Sequence, residues 1–246
     1  MLKKGRAIVL RKYRSGEKDI TTELLFDSGE KNYLHLHGIL SSKKRSALLA
    51  EIGSLIEINY YENQNYELSL KEGVVVERFD YLKSDYSHQN FLSKLLILTR
   101  LAASGEADAS LYVLIEAALY YANSLFKLNS TQFQTDSELL LIFFVIRILD
   151  LMGFLGDVTH CVSCNQPITG LAAWGNDGIQ FLCKDCSNAA NQLGFICSEL
   201  IKKCQKKRFR DLKHELESCS TDTINYLKVG LKRAIEFSLP NPPVIF

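Results

Sequence analysis

Residues 5–31 read GRAIVLRKYRSGEKDITTELLFDSGEK. Apolar and basic residues alternate from Arg6 to Arg14. The chain then passes through the polar Ser15-Gly16-Glu17-Lys18-Asp19 and resumes as ITTELLF over residues 20–26. A second turn, Asp27-Ser28-Gly29-Glu30, follows. Near-alternation marks a strand with one face in a core, and clustered Gly, Ser and Asp mark turns. The stretch therefore predicts two consecutive strands, the first carrying its basic residues outward.

Working outward, KNYLHLH (31–37) predicts a third strand and SSKKRSALLAEI (41–52) a polar, helix-capable segment. SLIEINYY (54–61) and YELSLKEGVVV (66–76), joined by the turn-rich ENQN, predict two more strands. Five short strands with a helical segment after the third is the element order of an OB-type barrel, an order that other small barrels share.

From about Ser87 the apolar period becomes helical. NFLSKLLILTRLAA (90–103), LYVLIEAALYYANSLFKL (111–128) and ELLLIFFVIRILDLMGFL (138–155) predict three helices with wide apolar faces. Thr135-Asp136-Ser137-Glu138 has the spacing of a capping box, and Gly153 stands where a helix would stop. Further helices are expected near 188–205, 208–217 and 222–238, the last ended by Pro240, Pro242 and Pro243. The predicted class is α+β: an OB-type barrel over residues 1–80, then a helical domain over residues 81–246.

The chain has 246 residues, 47% of them hydrophobic, and a formal net charge of +1. That balance hides a partition: +6 over residues 1–50, −10 over 51–200 and +5 over 201–246. Two kinds of partner surface are implied. The most apolar run, Leu139 to Ile146, is far shorter than the ~18 residues of a membrane span and is followed by Arg147. No signal peptide is visible at the N-terminus. Seven cysteines, four of them in Cys-x-x-Cys pairs, do not suit a secreted disulfide framework. A soluble cytoplasmic protein with reduced thiols is expected.

Cys161 and Cys164 form the first pair and Cys183 and Cys186 the second, with eighteen residues between the pairs. Each turn can aim two thiolates at one ion, and two turns complete a tetrahedral S₄ site. Between them, Gly175-Asn176-Asp177-Gly178 separates two apolar stretches as a hairpin turn would. The spacing predicts a zinc ribbon over residues 158–188 inserted in the helical domain, holding one structural Zn²⁺. Core cysteines, redox pairs and iron–sulfur ligation are the alternatives. Four thiolates leave no open position for a catalytic water, and the H-x-E and P-C-x-x-C pattern of nucleobase deaminases is absent. His160 is expected to be a neighbouring or surface group, and Cys197, Cys204 and Cys219 core residues.

No Walker loop, G-x-G-x-x-G or G-x-S-x-G is present, so nothing demands an enzyme. His35 and His37 share one face of a strand and read as a surface pair; Glu17 and Asp19 read as turn formers. Arg6, Arg11, Lys12, Arg14 and Lys18 lie along or just after the first strand, interleaved with Tyr13, and Lys43, Lys44 and Arg45 follow the third. Together on a small barrel they would make a positive groove for nucleic acid. The segment 201–214 holds seven more basic residues: Lys202, Lys203, Lys206, Lys207, Arg208, Arg210 and Lys213. Phosphate contact, an acidic protein partner and a plain solvated face all remain open for it.

The assembled order resembles the RecO family of recombinational DNA repair mediators over nearly the whole chain. The resemblance is carried by GRAIVLRKYRSGEKDITTELLFDSGEKNYL, YELSLKEG, LLLIFFVIRILDLMGFLGDVTHCVSC and GIQFLCKDC. It implies an N-terminal OB-fold, a helical zinc-bearing region, and binding of single- and double-stranded DNA. It also implies annealing of complementary strands, action with RecR, and help in loading RecA onto strands coated by single-strand-binding protein, in the cytoplasm at the nucleoid. The rival expectation is a non-enzymatic protein-interaction adaptor with incidental DNA contact; a metalloenzyme is a third.

Overall fold

The computed structural model describes residues 2–42, 46–63, 68–103, 107–128, 133–175, 180–239 and 242–246. They fall into two compact units, Met1–Ser130 and Thr131–Phe246.

In the first unit β1 (Leu2–Arg14), β2 (Ile20–Phe26), β3 (Lys31–Leu36), β4 (Leu55–Glu62) and β5 (Leu68–Glu77) close a barrel in the order β1-β2-β3-β5-β4. Neighbours are antiparallel except β3 and β5, which meet in parallel through Leu34–Leu68 and His35–Ser69. Ala7, Val9, Ile20, Leu24, Phe26, Leu34, Leu36, Ile56, Ile58, Leu68 and Leu70 fill the interior. The β1–β2 register shifts between Val9 and Arg11, skipping Leu10. Such a bulge reverses which parity of residue faces out. Before it, Ala7 and Val9 point inward; after it, Arg11 and Tyr13 pair with the outward Glu23 and Thr21.

The segment between β3 and β4, expected to be helix-capable, contains two short 3₁₀ turns, Ile39–Ser41 and Ala47–Ala50, among its described residues. Two long helices, α1 (Tyr86–Ala102) and α2 (Ala109–Leu128), complete this unit. Asp85 caps α1 by accepting from the His88 amide at 2.9 Å. Ion pairs tie both helices to the barrel: Arg100 to Glu23 at 2.9 Å and Glu116 to Arg6 at 3.0 Å. The compact unit thus runs on to Ser130, well past residue 80, near which the barrel strands end.

The second unit holds α3 (Phe133–Leu151), β6 (Ala172–Trp174), β7 (Phe181–Cys183), α4 (Gln192–Lys206), α5 (Phe209–Glu217) and α6 (Thr221–Ser238). Every residue from Leu139 to Ile146 is buried, so α3 is apolar all round because helices surround it. It starts at Phe133, ahead of the expected capping box. Glu138, the box's acidic partner, instead meets Lys228 of α6, and Asp136, 1% exposed, meets Lys213 of α5 at 2.9 Å. Gly153, at φ 74°, ends the helix as expected, in a left-handed conformation that suits glycine.

Candidate metal centre and nucleic-acid interface

The sulfur cluster is built from two tight turns and a hairpin. In the first turn the Asn165 amide donates to Cys161 O at 2.8 Å and the Cys161 amide to Gln166 O at 2.9 Å. In the second the Cys186 amide donates to Cys183 O at 3.1 Å. The Val162 amide donates to Phe181 O at 3.0 Å and fastens one turn to the other. β6 and β7 pair antiparallel, Ala172 opposite Cys183 and Trp174 opposite Phe181. Residues 176–179, and with them most of the expected hairpin turn, lie outside the described residues.

Cys161, Cys164, Cys183 and Cys186 come together, all four Sγ atoms within 4.8 Å of one another. Cys164 Sγ and Cys183 Sγ are 3.7 Å apart. A tetrahedral ion with bonds to sulfur of ~2.3 Å requires edges of ~3.8 Å, so the cluster has the size for one metal ion. Cys161 and Cys183 are buried and Cys164 and Cys186 exposed. Burial pushes the Cys161 thiol up, but backbone amides of Cys183, Cys164 and Ser163 outweigh it and bring the group down to about 6. Cys186, sharing its proton chiefly with Cys164, is pushed up to about 12. Four adjacent thiols cannot all ionise unless a cation balances them.

His160 stands apart from the cluster, its Nδ1 2.6 Å from Asp157 Oδ2. The Thr159 hydroxyl and amide, with His160, hold the Asp157 carboxyl down at about 2. Cys197 and Cys204 are fully buried, as expected of core residues; Cys219 is half-buried and donates to Glu215 O at 3.2 Å. Among the described residues no other group of three or more His, Cys, Asp and Glu side chains is close enough to share an ion, and His35 and His37 belong to none.

On the barrel, Arg11, Lys12, Arg14 and Lys18 are exposed. The Arg11 guanidinium lies 4.6 Å from the centre of the Tyr13 ring. Arg14 donates to the carbonyls of Gly16 and Glu17 and so shapes the β1–β2 turn. Arg6 is held by Glu116 rather than presented freely. Lys43, Lys44 and Arg45 lie outside the described residues. Sequence reading missed Glu23, whose carboxylate is 2% exposed yet pairs with Arg100 at 2.9 Å and Lys31 at 3.7 Å. Its strand context, ITTELLF, carries no sign of a distant partner.

The basic segment 201–214 is largely compensated within its own unit. Glu215 holds both Lys203 and Lys207, Glu199 faces Lys202 at 3.6 Å, and Lys213 pairs with Asp136 and Glu217. Lys206, Arg208 and Arg210 remain exposed.

Residues 96–213 match the family model described as recombination protein O C terminal. The chain is 29% identical over 189 residues to a DNA repair protein RecO of Leptospira biflexa, covering 75% of this chain and 72% of that protein. It is 28% identical over 174 residues to a DNA repair protein RecO of Chlorobaculum parvum, covering 69% and 63%. No helix among the described residues is long and apolar enough to cross a membrane. The matched segment spans the Cys₄ cluster and the helices on either side of it, and the two relatives extend the likeness along most of the sequence: the comparisons support the RecO family as what this chain is similar to.

Proposed function

We propose that this chain is a DNA repair and recombination mediator that binds single- and double-stranded DNA and anneals complementary strands. In this reading it acts with RecR to help load RecA onto strands coated by single-strand-binding protein, in the cytoplasm at the nucleoid. The observation that carries it is the exposed run Arg11, Lys12, Arg14 and Lys18 along the end of β1 and the turn after it, on a closed barrel, in a chain similar to this family. The strand order β1-β2-β3-β5-β4 supports reading the barrel as OB-type, a fold that binds oligonucleotides. Lys43, Lys44 and Arg45 are proposed as further DNA contacts, as is Arg6, whose guanidinium is also paired with Glu116.

The mechanism is electrostatic. Basic side chains take the place of counterions on two strands, lower their mutual repulsion and let base pairing proceed. The Cys₄ cluster is proposed to hold one Zn²⁺ with a structural role, since four thiolates fill a tetrahedral shell and leave no position for a reacting water. The protein makes and breaks no bond.

The test is annealing of two complementary labelled oligonucleotides at ~50 and ~200 mM salt, where phosphate contacts weaken steeply. Acceleration that falls with salt and is lost in an Arg11/Arg14/Lys43/Lys44 charge-removal variant is the expected result. No acceleration at either salt by folded, metal-loaded protein would overturn the proposal in favour of the adaptor.

A further inference from the structure

We propose that Tyr13, Tyr33, His35 and His37 form a stacking platform for unpaired bases on the outer face of β1 and β3, which gives the barrel a preference for single strands. This deepens the DNA-binding reading and rests on it. Leu34 and Leu36 fill the barrel interior, so Tyr33 and His35 face out, and the skip at Leu10 turns Tyr13 to the same side. The Tyr13 and Tyr33 ring centres are 6.4 Å apart, and those of His35 and His37 are 6.1 Å apart with the planes 23° from parallel. Arg11, over the Tyr13 ring at 4.6 Å, puts a cation at one end for a phosphate.

The platform is braced from β2 and the turn before it. Thr21 Oγ1 holds His35 Nδ1 at 3.0 Å, the Tyr13 hydroxyl donates to Glu23 at 3.3 Å, and Asp19 faces His37 at 3.7 Å. Glu23 lies beneath this face, but Arg100 and Lys31 balance its charge, so it presents no uncompensated anion to a strand. Tyr33 is 46% exposed, and the His37 side chain 68%. A scattered exposed tyrosine needs no explanation. Two ring pairs on one face with a basic flank match what single-strand binders use: a charged track plus aromatic faces, each worth roughly fivefold or more in affinity. A duplex keeps its base faces stacked inside and cannot use them.

The test compares full-length, metal-loaded wild type with Tyr33→Ala, His37→Ala and Tyr33→Phe. The ligands are a thymine oligonucleotide, an abasic strand of equal length and charge, and a duplex of that length. Each alanine variant is expected to melt like wild type and to lose roughly fivefold or more in affinity for the thymine strand. Affinity for the abasic strand and the duplex should not change, and Tyr33→Phe should bind like wild type. Unchanged thymine-strand binding in both alanine variants, or an equal loss on the abasic strand, would overturn the platform while leaving the DNA-binding reading intact. Wild type that binds none of the three at ~50 mM salt would overturn both.

Discussion

Gly230 of α6 lies flat against the indole of Trp174: a Cβ added to Gly230 would fall 2.0 Å from Trp174 Cε2. The same indole stacks on Phe181 at 4.3 Å and donates from Nε1 to Tyr226 O at 3.3 Å. The hairpin that carries Cys183 is therefore clamped to α6 at a point where only a hydrogen fits.

Gly230→Ala sets helix propensity against this contact. Alanine in a helix interior is favoured over glycine by about 1 kcal/mol. Overpacking against a rigid ring costs about 1–3 kcal/mol or more, and at 2.0 Å the ring or the helix must move. A net destabilisation of about 2 kcal/mol is expected from urea unfolding. A midpoint equal to or above wild type would refute the clamp.

The sulfur cluster should bind close to one metal ion per chain, measurable by elemental analysis of the purified protein. Stripping that ion with a chelator, or replacing Cys161 by Ser, should lower the thermal midpoint, because the two turns share little besides the cluster and the Val162–Phe181 hydrogen bond. Identical melting with and without chelator would show that the thiols hold no structural ion.

Glu23→Ala should destabilise the first unit by about 3 kcal/mol. It removes the single carboxylate shared by Arg100 and Lys31, whose side chains are 27% and 22% exposed. Denaturant unfolding checks this. A loss below about 0.5 kcal/mol, the scale of an ordinary surface change, would mean that water solvates both cations without it.

Burial pushes the thiols of Cys197 and Cys204 up from 9.0 to about 12. The folded chain keeps these protons where the unfolded chain releases them. Their contribution to stability is complete below pH 9 and is lost as pH climbs from there to about 12. Unfolding free energy should therefore fall above pH 9, by at most about 1.4 kcal/mol per unit for each thiol. The double variant Cys197→Ala/Cys204→Ala should show a flatter alkaline limb than wild type. Parallel limbs would exclude the two thiols as the cause.

What could be read along the chain was whatever depends on near neighbours. Strand alternation in RAIVLRKYR and ITTELLF, the helical period of the long apolar runs, and Gly153 as a stop are local signals, and the elements formed where they pointed. The two Cys-x-x-Cys turns are also local, and the four thiols cluster as their spacing implies. The apparent capping box at Thr135 failed for the opposite reason: the helix already starts at Phe133, and Glu138 is held by Lys228, 90 positions away.

Local pattern was enough for the order of strands and helices, the grouping of four thiols and the basic character of the first strand. Which residues of that strand face solvent follows from strand pairing in the folded barrel. The skip at Leu10 reverses parity and puts Arg11 and Tyr13 beside Glu23 and Thr21, and a one-residue change of register leaves no mark on composition or period. The fold also sets which charges are spent within it. Arg6 meets Glu116, and Glu23 meets Arg100, across separations that chain-local patterning does not sense, because a salt bridge depends on distance in space rather than along the chain.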